Sequence, residues 1–240
     1  MQRLKVLITG TSSGVGKATA ERFLNEGHIV YGLDIKDGTI DHENYIHYKC
    51  DVRNDKDLPA IQGINILINN AGSIKEEEAL DTNIKGYINV AEKYCFQPEI
   101  KSVVMVGSGC SVTGVDLPFY CASNGARNSY TINLANRLGE LYKIPVNLVG
   151  LELVETDFDG LFDKPEKVEE VKKLTLLERS MKLEDASKWI YFLAVENKNM
   201  TGQCIMVDNG ESVKHHFVDY RDWYESSYVS SLSNARYKQR

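Results

Sequence analysis

The chain has 240 residues, 42% of them hydrophobic and 26% charged, enough to bury the core of one large α/β domain. A net charge of −6 leaves no basic excess to neutralise phosphates, so a nucleic-acid partner is not expected. No apolar run reaches bilayer-spanning length and Met1-Gln2-Arg3 leads into a strand without a cleavage site, so neither a membrane span nor a signal peptide is read.

Leu4 to Ile8 reads as a strand that runs straight into Thr9-Gly10-Thr11-Ser12-Ser13-Gly14-Val15-Gly16. A helical pattern follows from Lys17 to Gly27. Ile29 to Asp34 and Tyr45 to Lys49 read as strands, with a short helix expected over Asn54 to Ile61. Asn65 to Ile68 is a continuous apolar run, as suits a strand buried on both faces of a parallel sheet. A long helix is expected from Ala79 to Gln97, then a strand at Ser102 to Val106, a helix from Phe119 to Tyr142 and a strand at Val146 to Leu151. The last pair is a helix over Glu184 to Glu196 and a strand at Gln203 to Val207. This alternation predicts a doubly wound parallel sheet with helices on both faces, the Rossmann arrangement. Residues 1–210 form that one domain and 211–240 a polar, aromatic extension. Charge-rich Asp157 to Arg179 breaks the rhythm and reads as a helical flap beside the site. Cys50, Cys95, Cys110, Cys121 and Cys204 are scattered and form no C-x-x-C pair. They read as reduced thiols, and a cytoplasmic location is expected.

A strand, a glycine turn and a helix start make a phosphate site. Glycines admit the backbone to the ligand, and the helix N-terminus offers free N–H groups to an anion. Gly10, Ser12, Ser13, Gly14, Val15 and Gly16 are the candidates. Asp34 ends the second strand, where a carboxylate can accept hydrogen bonds from both hydroxyls of an adenosine ribose and repel a 2′-phosphate. NAD is therefore favoured over NADP. No basic residue stands at Ser13 or Ile35, and Lys36 is expected to face solvent. Asp51-Val52 follows the third strand, where a carboxylate can bond an adenine amino group. Asn69-Asn70-Ala71-Gly72 follows the fourth, a tight polar turn able to brace the cofactor.

With these residues, Val106-Gly107-Ser108 and Tyr120-Cys121-Ala122-Ser123, the chain resembles the short-chain dehydrogenase/reductase family from about residue 3 to residue 210. Val154-Glu155-Thr156-Asp157, Thr201-Gly202-Gln203 and Val207-Asp208-Asn209-Gly210 are weaker echoes. The resemblance implies NAD(P)-dependent interconversion of an alcohol and a carbonyl. Tyr120 matches the tyrosine that exchanges a proton with the substrate oxygen, and Ser108 the serine that orients that oxygen. Asn83 matches the helix asparagine that holds a relay water. Val154 and Thr156 fall where the cofactor's carboxamide or phosphate is held. A homodimer or homotetramer through the Ala79–Gln97 and Phe119–Tyr142 helices is implied as well.

Three departures qualify the resemblance. The family has a lysine four residues after the tyrosine, one helical turn on and on the same face; here stands Asn124. An ammonium at ~5 Å in an effective dielectric of ~20 contributes about 3 kcal/mol. That is about 2 pKa units, a ~100-fold change in tyrosinate. Asn124 can still bond the nicotinamide ribose. Arg127, near the same face, reads as too far to replace the lysine directly. Where the family has Pro-Gly stand Leu151-Glu152. The Glu152 carboxylate reads first as turned to solvent, with an added acid/base group or a partner for a cationic substrate as the other readings. The segments between Val52 and Ile64 and between Asn69 and Asn83 are short, so the substrate mouth is expected to be more open.

Two functions stay open at this point. One is a working NAD-dependent oxidoreductase with Ser108, Tyr120, Asn83 and Asn124 at the reacting end. The other is an NAD(H)-binding protein with little turnover, acting as sensor, regulator or assembly subunit; a lyase or isomerase using the same pocket is a third. No hydrolase triad is read around Ser108, since Gly107-Ser108-Gly109 lacks the full nucleophile-elbow pattern. No metal site is expected: His215-His216 with Asp219 and Asp222 read as part of a polar tail.

Overall fold

A computed structural model describes residues 2–156, 158 and 160–214. Seven parallel strands form one sheet in the order β3-β2-β1-β4-β5-β6-β7. They are β1 (Lys5–Thr9), β2 (Ile29–Asp34), β3 (Tyr45–Lys49), β4 (Ile66–Asn69), β5 (Ser102–Ser108), β6 (Val146–Leu151) and β7 (Cys204–Val207). Strand order reverses between β1 and β4. The connections there leave on opposite sides and open a crevice at the carboxyl ends of the strands, where such sheets bind their ligands.

Successive strand residues point to opposite faces, and both faces are buried. Leu7, Leu67, Val103, Met105 and Leu148 pack on one side with Tyr87, Val90 and Tyr94 of α3 (Tyr87–Tyr94) and with Leu134 and Leu138 of α5 (Pro118–Tyr142). Val6, Ile8, Ile66, Ile68 and Val104 pack on the other with Ala20 and Phe23 of α1 (Gly14–Asn25) and with Ile190 and Tyr191 of α7 (Leu183–Tyr191). Each fully buried aliphatic side chain contributes roughly 1.5–3 kcal/mol. The two-sided core explains why these strands read as unbroken apolar runs.

Two expectations change. Residues 54–61 form turns, not a helix. Pro59 supplies no N–H, and the Leu58 and Pro59 carbonyls instead accept Lys93 Nζ (2.6 Å) and the Tyr94 hydroxyl (2.7 Å). The helix expected from Ala79 starts earlier, as α2 (Glu76–Leu80). It widens into a π-helical segment over Asp81–Gly86 and ends with α3 at Tyr94. The charged stretch after β6 carries a short 3-10 turn (Leu161–Asp163) and α6 (Pro165–Lys172). One short helix, α4 (Cys110–Thr113), follows β5, and α7 continues as a π-helical segment over Phe192–Glu196. The readings placed on His215, His216, Asp219, Asp222 and the rest of 215–240 lie outside the described residues, as does Asp157. Among the described residues, no helix is long and apolar enough to cross a membrane.

Candidate active site

The glycine turn closes over the carboxyl end of β1. Gly10 and Gly14 sit at φ +78° and +56°, the left-handed region that favours glycine. A Cβ on Gly16 would lie 2.0 Å from the Gly10 carbonyl oxygen, so no side chain can stand there. The loop is pinned from both sides. Gly10 N donates to Leu33 O at 2.7 Å and Ser12 N to Asp34 Oδ2 at 2.9 Å. Asp34 Oδ1 accepts Lys36 N at 2.9 Å, while the Lys36 side chain is exposed. Each Asp34 oxygen keeps a lone pair for a further donor. Ser13 stands at the N-cap of α1 and Val15 in its first turn.

The β4 turn is tied to the same strand end. Asn70 N and Ala71 N both donate to Thr9 Oγ1 at 2.9 Å, and Asn70 Nδ2 donates to Thr9 O at 2.9 Å. Gly72 packs where a side chain would press on Asn83 and Arg127. Val52 is buried against Gly86, where a Cβ would come within 2.7 Å of its methyl. Asp51 is engaged in a way the sequence did not suggest. Its carboxylate grips the Arg53 guanidinium at 2.6–2.9 Å, and that hydrogen bond holds it below the usual carboxylate range. Thr156 lies beside Gly14, and Val154 bridges to Met181 just before it.

Ser108 ends β5 and Tyr120 stands in the first turn of α5, near enough that the serine offsets part of the rise that burial imposes on the tyrosine. Tyr120 is held by a cap that sequence reading missed. Pro118 opens α5 with a φ suited to a helix start. The Glu76 carboxylate of α2 then accepts Phe119 N (3.0 Å) and Tyr120 N (2.9 Å), two N–H groups the helix itself cannot satisfy. Glu76→Ala is expected to cost about 1 kcal/mol in urea unfolding. A stability change below a few tenths would show that solvent caps this end equally well.

A family model described as enoyl-(acyl carrier protein) reductase matches residues 10–212. The chain belongs to the short-chain dehydrogenase/reductase superfamily. It is 31% identical to the 3-oxoacyl-(acyl-carrier-protein) reductase FabG of Thermotoga maritima, over 85% of this chain and 96% of that relative. It is 26% identical to the NAD-dependent glycerol dehydrogenase of Listeria innocua, over 87% and 93% of the two chains. A solved short chain dehydrogenase family protein from Francisella tularensis superposes with a TM-score of 0.80 at 26% identity, covering 89% of this chain and all of that one. The general chemistry is therefore nicotinamide-dependent oxidoreduction.

Several side chains expected at the reacting end of this short-chain dehydrogenase/reductase are engaged by neighbours within the protein. Asn83 is fully buried in the π-helical segment, and its side chain is spent. Oδ1 accepts Ser73 N at 2.8 Å, while Nδ2 donates to Ser73 O (2.8 Å) and Ser123 Oγ (3.0 Å). Its backbone carbonyl, on a turn that departs from the regular ladder, accepts Arg127 Nε at 3.0 Å. Arg127 also donates to Val106 O (3.1 Å) and Ala71 O (3.0 Å), and lies 4.3 Å over the Tyr87 ring. No carboxylate pairs with it among the described residues. Burial lowers its pKa, but a guanidinium keeps its proton. Asn124 is buried too. Its Nδ2 turns back to Tyr120 O at 3.0 Å, leaving Oδ1 buried without a partner.

Glu152 is half-buried and points at the reacting pair, which corrects the reading that turned it to solvent. Ser108 Oγ donates to Glu152 Oε2 at 3.2 Å. Burial, together with nearby Glu211, pushes this carboxyl up to about 7. Burial and the neighbouring Cys110 push Tyr120 up to about 12.

The residues fit a nicotinamide dinucleotide. The glycine cradle is too tight for a Cβ at Gly10 and Gly16, and two buried acceptors, Ser12 Oγ and Asn124 Oδ1, are left without partners. Cys95 and Cys110 are buried and Cys121 partly so, in keeping with packing roles. No cluster of metal-ligating side chains occurs among the described residues.

Proposed function

We propose that the chain is an NAD(H)-preferring oxidoreductase that interconverts an alcohol and a carbonyl at the Ser108–Tyr120 pair. The observation that carries this reading is the pair itself, two neighbouring hydroxyls at the carboxyl end of β5, where the crevice opens beside the glycine cradle. The dinucleotide, when bound, supplies or accepts the hydride. Gly10, Ser12, Ser13, Gly14, Val15 and Gly16 would hold its pyrophosphate, Asp34 its adenosine ribose, and Asp51 and Val52 its adenine. Asn70, Ala71 and Gly72 would brace it from below, Asn124 would take a ribose hydroxyl on its free Oδ1, and Val154 and Thr156 would close over the nicotinamide end. Tyr120 exchanges the proton with the substrate oxygen, and Ser108 orients the Tyr120 hydroxyl toward it.

Asp34 supports NAD over NADP, because its carboxylate sits at the end of β2, where it accepts only the backbone N–H groups of Ser12 and Lys36 among the described residues. A 2′-phosphate there would meet like charge. The NAD dependence of the Listeria innocua relative points the same way. Five free thiols suit a cytoplasmic setting.

NADH and NADPH fluorescence titrations, followed by turnover over a panel of small carbonyls, test the reading. NADH is expected to bind at least tenfold more tightly than NADPH. Asp34→Ala is expected to erase most of that difference, since hydrogen bonds to a charged group contribute about 1.5–3 kcal/mol. A preference that survives Asp34→Ala removes Asp34 from the role. NADH binding without turnover of any carbonyl favours the second reading, a sensor or assembly subunit. The observation behind that alternative is the engagement of Asn83 and Asn124 by neighbours within the protein.

A further inference from the structure

We infer that Glu152 is the proton store of the reacting pair, exchanging a proton with Tyr120 through Ser108. The inference rests on the oxidoreductase reading above and adds to it the route by which Tyr120 is recharged.

Ser108 carries one O–H and two lone pairs. One lone pair accepts Cys110 N at 3.2 Å. The Ser108 hydrogen goes to Glu152 Oε2 at 3.2 Å, since a carboxylate can only accept. The remaining lone pair is left for the neighbouring Tyr120, which in the relay is then the donor. With Glu152 ionised, the chain of donors runs Tyr120 to Ser108 to Glu152. With Glu152 protonated, it runs the other way and leaves the phenol hydrogen free for a substrate oxygen. Three residues brought together from β5, α5 and the end of β6 thus form a wire with two polarities.

Neither neighbouring asparagine offers Tyr120 another route. The Asn83 side chain is committed to Ser73 and Ser123, and its carbonyl to Arg127. Asn124 has no proton to give or take and bonds the Tyr120 carbonyl. Tyr120 cannot hold a phenolate near neutral pH, since burial pushes its pKa to about 12. In the wire it never needs to, because it gains one proton as it gives up another.

The turn that presents Glu152 carries local strain. Leu153 is buried at φ +48°, a left-handed conformation that costs a residue with a Cβ roughly 1–2 kcal/mol. It is held by Met181 N on Leu153 O at 2.9 Å and by Glu155 N on Met181 O at 2.8 Å. Such strain persists where the surroundings over-determine it, and it clusters at functional sites.

The step balances. In oxidation the carbinol carbon loses its hydrogen with two electrons as hydride to an oxidised nicotinamide. The substrate O–H bond breaks as its proton bonds to the Tyr120 oxygen, the Tyr120 proton moves to Ser108 Oγ, and the Ser108 proton bonds to Glu152 Oε2. Reduction reverses each transfer. Oxidation therefore needs ionised Glu152 and rises with pH through about 7, whereas carbonyl reduction needs the acid and falls through the same range. The titratable and charged groups facing Glu152 are Cys110 after β5, Tyr120 on α5 with Arg127 behind it, and Asp208 and Glu211 after β7. Burial pushes Cys110 up to about 12, so it stays protonated throughout.

Glu152→Gln keeps an acceptor for Ser108 and removes the titration. With any alcohol that the wild type oxidises, it is expected to lose the pH step near 7 and about 100-fold in kcat above that pH, the low end for acid–base groups, with KM within about threefold. A readout on the protein alone accompanies it, a 13C NMR titration of labelled glutamate carboxyls. The wild-type resonance that titrates near 7 is expected to vanish in Glu152→Gln. In Ser108→Ala it is expected to move to higher pH, because the lost hydrogen bond had favoured the carboxylate. A pH step that survives in Glu152→Gln, a loss confined to KM, or a midpoint unmoved by Ser108→Ala overturns the wire and leaves the oxidoreductase reading standing. Absent wild-type turnover with NADH and NADPH sinks that reading and the wire together.

Discussion

Replacing Tyr120 with phenylalanine is expected to lower kcat by ~10²–10⁴-fold while NADH affinity stays within about twofold. The ring is half-buried and phenylalanine keeps its shape, so the change removes little but the hydroxyl. That hydroxyl lies beside Ser108 at the β5 end. At pH 7 it is protonated, because burial raises it to about 12. In the reducing direction it is therefore a donor in place. The loss corresponds to about 3–5 kcal/mol of transition-state stabilisation. Since the interaction forms as the substrate oxygen changes protonation, kcat and kcat/KM should fall together. Steady-state kinetics on any carbonyl the wild type accepts will decide. A variant that retains more than a tenth of wild-type kcat would remove Tyr120 from the proton transfer.

Arg127→Met is expected to destabilise the fold by about 3 kcal/mol in urea unfolding, a large share of the ~5–15 kcal/mol that holds a domain together. The guanidinium ties three chain segments at one point: Ala71 after β4, Asn83 in the π-helical segment and Val106 in β5. Methionine matches its length and its packing on Tyr87. It also relieves the burial of an unpaired cation, which offsets part of the loss. Val106 O keeps a donor, the Tyr87 hydroxyl at 2.8 Å. The Ala71 and Asn83 carbonyls lose the Arg127 hydrogen bonds, and a buried carbonyl left without a donor costs about 1–3 kcal/mol. Arg127→Lys should fall between the two, since an ammonium cannot fork to three carbonyls at fixed angles. A change below 0.5 kcal/mol in the methionine variant would mean that those carbonyls find other donors. Loss of the nearby positive charge should also raise Tyr120 further, because Arg127 favours its ionised form.

Much of the molecule was legible before any coordinates. Leu4 to Ile8, Asn65 to Ile68 and Val146 to Leu151 are strands because only a parallel sheet covered on both faces rewards such unbroken apolar runs. Gly10, Gly14 and Gly16 sit in a turn that admits nothing larger, so their spacing carries the geometry with it. Ser108 and Tyr120 were named from motifs and meet in space. The Asn54–Ile61 segment failed because its polar spacing imitates a helix turn. Pro59 and the side chains of Lys93 and Tyr94, some 35 positions on, determine where its carbonyls go.

The sequence by itself determined the fold and the crevice, since burial periodicity and glycine sterics act within a few residues of where they are written, and through a family resemblance it singled out Ser108 and Tyr120. Only the tertiary structure decided that Glu76 caps the helix bearing Tyr120, that Arg53 occupies Asp51, that Arg127 takes the Asn83 carbonyl and that Glu152 turns inward to Ser108. Three of those contacts join segments more than 40 residues apart. A carboxylate facing water and one facing a serine are spelled by the same letter, and which neighbour it meets depends on how the strand ends are brought together.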